Sequence, residues 1–209
     1  MNDLSLLETR VLGTLVEKQH TVPDTYPLTL NSLVSGCNQK TSRSPVMEAA
    51  ETEVQATLDG LKRRNLVIES SGSRVARYAH NVDSVLKVPS QSVAILTVLM
   101  LRGPQTPGEL RINCERLHRF ADLSAVEAFL QELAARPAGA LVVELARLPG
   151  ARETRWAHLL SGTPTVNTTP RERDPGDEAS DRKTLETRVA QLESEVAQLR
   201  AELDKLRLQ

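Results

Sequence analysis

The sequence predicts a mainly α-helical chain with small β-hairpins: two tandem winged helix-turn-helix domains followed by a C-terminal coiled-coil helix. Two observations predict this fold. The hydrophobic spacing changes twice from a helical period to a strand period, and the C-terminal residues carry a heptad repeat. We therefore divide the chain into domains over residues 1–84 and 85–160, a disordered linker over 161–183 and a coiled coil over 184–209. Each domain is expected to bury its own small core.

The first domain begins with three segments in which apolar residues recur at helical spacing. They predict helices over residues 4–19, 27–35 and 51–64. Residues 66–69 and 74–80 then have the composition of two strands around a Ser-Gly turn. Three helices followed by a hairpin is the order of a winged helix-turn-helix, in which the hairpin is the wing.

The second domain repeats that order. A first helix is predicted over residues 92–101, and a hairpin over 140–145 and 153–159. The sequence RYAH at residues 77–80 matches RWAH at residues 155–158, which indicates a duplicated unit.

Capping boxes predict where two helices of the second domain begin. Thr106 and Glu109 are three residues apart, the spacing of a capping box, and Pro107 stands at the first helical position. Ser124 and Glu127 have the same spacing and predict the start of the third helix.

Composition limits the function. The chain has 26 Lys and Arg against 27 Asp and Glu, a net charge of −1 and a pI near 6.4, so nucleic-acid contacts would need a local basic patch. Cys37 and Cys114 are too few for a zinc set or a disulfide framework, which favours reduced cytoplasmic thiols. The longest apolar run, residues 93–101, is too short to cross a bilayer, so no membrane partner is expected.

The chain carries none of the common signatures of catalysis. It lacks a phosphate loop, a Rossmann fingerprint, HExxH, CxxC and Gly-x-Ser-x-Gly. The four histidines are not spaced as metal ligands on one element. We therefore predict that the protein is not an enzyme and holds no cofactor or metal.

The C-terminal heptads predict a homodimer. Valine at a with leucine at d favours a parallel two-stranded coil, and the charges that flank the seam would attract each other in that orientation. The predicted dimerisation residues are Leu185, Val189, Leu192, Val196, Leu199, Leu203 and Leu206. The alternatives are a single amphipathic helix that docks on the chain's own domains and a mostly frayed tail.

A candidate surface for nucleic acid or a protein partner can be chosen by charge. The third helices open with carboxylates, Glu51 and Glu53 in the first domain and Glu127 in the second, which suit a helix N-terminus but not a phosphate. Basic and polar residues lie in the adjoining turns, helix ends and wing. The candidates are Asn38, Gln39, Lys40, Arg43, Arg63, Arg64, Arg74, Arg77, Arg111, Arg116 and Arg119. Alternatively, these residues bind no partner: some stabilise the C-terminal ends of helices, and the others lie on a solvated face.

Several stretches resemble a known family. LLETRVLG at residues 6–13, TYPLTLN at 25–31 and, most distinctively, CNQKTSRSPVM at 37–47 are similar to the bacterial YceH family of uncharacterised tandem winged-helix proteins. Family members more often carry Asp where this chain has Ser44. The resemblance covers residues 4–160 and implies the fold, but no established activity, ligand or catalytic residue. The first interpretation of the polar run 38–43 is a structural turn, because Asn, Ser and Thr cap backbone groups; a functional surface is the second.

Two functions remain open from the sequence. The first is a homodimeric, regulator-like protein that binds double-stranded DNA, which the fold and the basic turns favour. The second is an interaction scaffold that binds another protein through its winged-helix faces, which the neutral pI and the acidic third helices favour.

Overall fold

The computed structural model describes residues 3–70, 75–147, 150 and 153–163. The helices within these ranges are α1 (Leu6–Thr21), α2 (Leu30–Cys37), α3 (Glu51–Arg63), α4 (Val82–Leu86), α5 (Ser90–Arg102), α6 (Pro107–Asn113) and α7 (Leu123–Ala134). The strands are β1 (Leu28–Thr29), β2 (Val67–Ser70), β3 (Arg77–His80), β4 (Val142–Glu144) and β5 (Trp156–His158). The mainly helical fold with small antiparallel sheets is confirmed.

The first half consists of three helices and a three-stranded antiparallel sheet. A capping box starts α1: the Glu8 backbone N–H donates to Ser5 Oγ at 3.1 Å, and the Ser5 N–H donates to Glu8 Oε2 at 2.7 Å. The strand order is β1-β3-β2, with Leu28 opposite Tyr78. Strand β1 was not predicted, because a two-residue strand is too short to show an alternating pattern.

The second half repeats three helices and a hairpin. Gln105 and Trp156 exchange backbone hydrogen bonds of 3.0 and 2.7 Å, so the residues before α6 pair with β5 as β1 pairs with β3. Thr106 caps α6 in a capping box with Glu109, as predicted.

The predicted Ser124 cap is wrong. Asp122 caps α7, because its Oδ1 accepts the Ala125 N–H at 2.8 Å, and Ser124 already lies in the first turn. The Ser124 hydroxyl donates instead to the same Asp122 oxygen.

One short helix between the halves was not predicted. Helix α4 spans only five residues, and its buried residues are Val82 and Leu86. Arg136 at the end of the α7 region donates to the Leu86 carbonyl at 2.6 Å, so α4 is tied to the second half.

The expectation of two separate cores is wrong. The buried apolar side chains of the described residues form one continuous cluster through both halves, which belong to one compact unit. Every residue of α5 from Ser92 to Leu101 is buried, so this helix packs against α1 as well as against its own neighbours. At the α1–α5 crossing, a Cβ on Gly13 would lie 2.9 Å from Leu101 side-chain carbons. No helix in the described ranges is long and apolar enough to cross a membrane.

Candidate nucleic-acid or partner interface

Asn38 organises the turn between α2 and α3. Its Nδ2 donates to the Ala49 carbonyl at 2.9 Å, and its Oδ1 accepts the Ala49 N–H at 2.8 Å. Gln39 donates to Thr41 and accepts from Lys18 Nζ at 3.2 Å. The Asn38 and Gln39 side chains thus hold the chain's own turn. Lys40, by contrast, is exposed.

Arg43 is not part of a surface. Its side chain has no exposed area, so the prediction that Arg43 belongs to a nucleic-acid or partner surface is wrong. Nη1 and Nη2 donate to the two carboxylate oxygens of Glu17, and Nε and Nη2 donate to the Gly36 carbonyl. These bonds occupy the guanidinium inside the protein, so we remove Arg43 from the candidate surface.

Arg10 is a second buried arginine, which the sequence analysis did not single out. Its side chain lies in α1 with 0% exposure and donates to the carbonyls of Cys37 at 3.1 Å and Pro45 at 2.6 Å. Within the described residues its Nε has no hydrogen-bond partner. Burial, with a further contribution from Arg43, lowers the pKa of Arg10. Two buried arginines therefore hold both ends of the distinctive segment 37–47.

The wing arginines that the structure describes donate to backbone carbonyls of their own half. Arg77 Nη1 donates to the carbonyls of Thr25 and Pro27, at 3.2 and 2.8 Å, and so ties β3 to the loop before α2. Arg155, its counterpart in the repeat, donates to the Pro104 carbonyl at 2.8 Å before α6. The shared RYAH and RWAH motif thus has a structural role in both halves. Arg74 lies outside the described residues.

The two arginines at the end of α3 also differ. Arg64 Nη1 lies 3.7 Å from Glu8 Oε1 in a partly buried ion pair. Arg63 is exposed. Arg63 is therefore more accessible to a partner than Arg64.

Helix α6 and the turn after it present three exposed arginines. Arg111 donates to the Ala121 carbonyl at 3.4 Å, whereas Arg116 and Arg119 have no hydrogen bond or ion pair within the described residues. Arg111 and Arg119 line one shallow cavity of about 190 Å³. This group of side chains, Arg111, Arg116 and Arg119, is called the α6 arginine surface below.

A larger cleft of about 550 Å³ brings two predicted regions together. Gln39 from the α2–α3 turn and Arg116 after α6 both line it. Lys18 of α1 and Arg102 of α5 also line the cleft. The two halves of the molecule therefore contribute to one concave surface.

The third helices lack basic groups where DNA would meet them. Glu51 and Glu53 are exposed at the start of α3, and Glu127 is exposed in α7. Helix α7 contains no Lys or Arg. In α3, Lys62 is held by Asp59 at 2.8 Å and by Glu69. These faces would repel phosphates rather than bind them.

Burial shifts the pKa of both cysteine thiols and of the motif histidine His158. Burial raises the pKa of Cys37 to about 11 and that of Cys114 to about 12, and both thiols are free. Burial lowers the pKa of His158 to about 4. No group of three or more His, Cys, Asp or Glu within the described ranges could hold a metal ion.

The predicted dimerisation residues, Leu185 to Leu206, all lie outside the described residues. Their role stays a prediction.

Comparisons with known proteins show what the chain is similar to. A family model described as a protein of unknown function, DUF480, matches residues 4–151. A UPF0502 protein of Dechloromonas aromatica is 64% identical over 189 residues, which cover 90% of this chain and 89% of the relative. A UPF0502 protein of Burkholderia vietnamiensis is 65% identical over 78% of this chain and 68% of its own length. One of Methylibium petroleiphilum is 66% identical over 78% of this chain and 70% of its own length. The UPF0502 family is that of YceH, so the resemblance is confirmed.

Proposed function

This chain belongs to the DUF480 family, and we propose that it is a non-enzymatic, cytoplasmic protein of two tandem winged-helix domains that binds double-stranded DNA as a homodimer. The repeated order of three helices and a hairpin supports the winged-helix interpretation, because that order defines the motif. The pairing of the second-helix entry with the last hairpin strand, seen in both halves, supports it further.

The α6 arginine surface is the observation that carries the DNA proposal. Arg116 and Arg119 are exposed and have no partner within the described residues, so binding phosphates would break no internal ion pair. Arginine forms charge-assisted, bidentate hydrogen bonds with phosphate oxygens. Because α7 carries no cation, we propose that α6 and the turn after it contact the DNA backbone, and that α7 does not read the major groove.

Contacts to phosphates have a recognisable signature. They release counterions, so affinity falls linearly on a logarithmic scale as salt rises, and they carry little sequence information. We therefore expect unrelated duplexes of equal length to bind with similar affinity.

The experiment is a fluorescence-anisotropy titration of two unrelated, labelled duplexes with the full chain. The affinity is measured over roughly 50 to 200 mM KCl. A steep loss of affinity for both duplexes as the KCl concentration rises supports the proposal. Absence of binding at the lowest salt contradicts it.

The exposed acidic third helices favour a second candidate, a protein-interaction scaffold. Glu51 and Glu127 are exposed and unpaired among the described residues, and they would suit a basic protein surface. An affinity pull-down compares the wild-type chain with the variant Glu51→Lys/Glu127→Lys. A partner that the wild type recovers and the variant loses supports the scaffold; recovery of the bait alone by both contradicts it.

A further inference from the structure

The cleft of about 550 Å³ between α1, α5 and α6 has the properties of a small-molecule site. Its volume falls within the range of pockets that hold small organic ligands. Its walls combine cationic, hydroxyl and apolar side chains, the mixture that orients a ligand with one charged end. Of the residues that line this cleft, the DNA proposal uses Arg116 alone.

The charges of the cleft favour one anionic group. Three cationic residues line the cleft, Lys18, Arg102 and Arg116, together with two carboxylates, Glu17 and Glu115, and Lys18 Nζ lies 3.7 Å from Glu17 Oε2. Arg43 donates to both oxygens of Glu17, at 3.1 and 2.6 Å, and has no exposed side-chain surface. The negative charge of Glu17 is therefore already balanced from inside the protein, which leaves the cleft with excess positive charge.

Arg102 is the residue best placed to bind that anion. It lies at the end of α5, is partly buried, and donates through Nη2 to Ser42 Oγ at 2.8 Å. That is its only side-chain hydrogen bond within the described residues. A guanidinium has five N–H donors, so most of them remain available for a carboxylate. The Ser42 contact holds the side chain against the cleft wall.

An apolar surface adjoins the cationic one. Ile112 is 72% exposed and Val22 is 39% exposed, and both line the cleft. Val98 and Leu101 line it as well, and both are buried. An apolar ligand body would remove Ile112 and Val22 from water, which is favourable in proportion to the area covered.

We infer that this cleft binds a small amphipathic organic acid. The carboxylate pairs with Arg102, and the apolar body packs against Val22 and Ile112. The inference does not depend on the DNA proposal, because Arg102, Val22 and Ile112 lie outside the α6 arginine surface. Arg116 borders both surfaces and is therefore left unchanged in the test.

The test titrates the isotope-labelled full chain with three probes and follows backbone amide shifts. The probes are hexanoate, hexanol and inorganic phosphate. Hexanoate should give saturable shifts at residues such as Ser42, Arg102 and Ile112, with an affinity about tenfold above that of either control probe, because it alone has both a carboxylate and an apolar body. Equal affinities for hexanoate and hexanol, or shifts that do not saturate, overturn the inference.

Two pairs of variants locate the site. Arg102→Gln should weaken hexanoate binding about tenfold, whereas Arg63→Gln, which removes an exposed charge elsewhere, should leave it unchanged. Thr21→Phe fills the cleft and should abolish binding, whereas Thr52→Phe on the exposed face of α3 should not. Hexanoate affinities that stay at the wild-type value in both Arg102→Gln and Thr21→Phe overturn the inference. DNA affinity is measured separately, so either proposal can fail alone.

Discussion

Arg43 and Glu17 form a bidentate ion pair beneath the turn between α2 and α3. Arg43 Nη1 and Nη2 donate to Glu17 Oε1 and Oε2 at 3.1 and 2.6 Å. The same guanidinium donates from Nε and Nη2 to the Gly36 carbonyl at 3.1 and 3.0 Å. The most distinctive polar segment of the sequence is therefore held from inside the protein.

Loss of this pair should destabilise the fold. Glu17→Gln removes the negative charge and leaves Arg43 buried, so the free energy of unfolding should fall by about 3 kcal/mol, measured by urea denaturation. Glu51→Gln, at an exposed position, is the matched control and should change it by less than about 0.5 kcal/mol. Similar changes in the two variants would contradict the buried pair.

Gly13 tests the close packing of α1 on α5. Gly13→Ala places a Cβ 2.9 Å from Leu101 Cγ and Cδ2 and 3.5 Å from Met100 Cβ. We expect a loss of about 1 to 3 kcal/mol in the free energy of unfolding, because an overpacked core must shift. In Gly108→Ala the added Cβ would lie 3.9 Å from its nearest neighbour, Thr106 Oγ1. Because Ala favours a helix more than Gly does, the free energy of unfolding should stay equal or rise. A stabilised Gly13→Ala protein would refute the close crossing.

His158 should make stability depend on pH. Burial lowers its pKa to about 4 in the folded chain, below the value of about 6.5 in the unfolded chain. The unfolded state therefore binds a proton that the folded state excludes, so this contribution is complete above about pH 6.5 and is lost as pH falls towards 4. His80 should also make the protein less stable as the pH falls, since burial lowers its pKa too.

The measurement is the free energy of unfolding in urea across that pH range. The His158 contribution should amount to roughly 3 kcal/mol. His158→Gln should flatten that part of the profile. A profile that is unchanged in His158→Gln would mean that folding does not lower the pKa of His158.

The tail should determine the oligomeric state. The full chain should sediment as a dimer at high concentration and dissociate on dilution, because the coil predicted from the sequence covers only about three and a half heptads. A chain ending at residue 183 should remain a monomer at all concentrations. Leu192→Asp in the full chain should act like the truncation, whereas Gln191→Asp should not. A monomeric full chain would exclude the coiled coil.

Periodic features of the fold could be predicted from the sequence. Apolar spacing predicts helices α1, α3 and α5, and a capping box predicts the Thr106 cap of α6. Both signals lie within a short stretch of sequence. The short elements β1 and α4 could not be found, because their packing depends on distant partners. The Ser124 error arose because Asp122, two residues earlier, caps the helix by accepting the Ala125 N–H, so the helix already begins before Ser124.

The merged core and the buried arginines depend on tertiary structure. The apolar run of α5 is long enough to pack against both halves. The spacing of its own apolar residues does not show, however, which helix packs against it. Arg43 and Arg10 are charged in sequence and buried in the structure, because Glu17 and backbone carbonyls surround them. Charge alone therefore could not separate Arg43 from Arg116 and Arg119, which are exposed.

The salt dependence of DNA binding in two matched double variants tests the central claim most directly. Arg116→Gln/Arg119→Gln and Arg63→Gln/Lys87→Gln each remove two exposed positive charges, but only the first removes them from the α6 arginine surface. The first should reduce the slope of log K against log [KCl] by nearly 2, or about 0.9 per lost contact, and the second should leave it at the wild-type value. Equal slopes in all three proteins, or an equal reduction in both variants, would contradict the assignment of DNA contacts to α6.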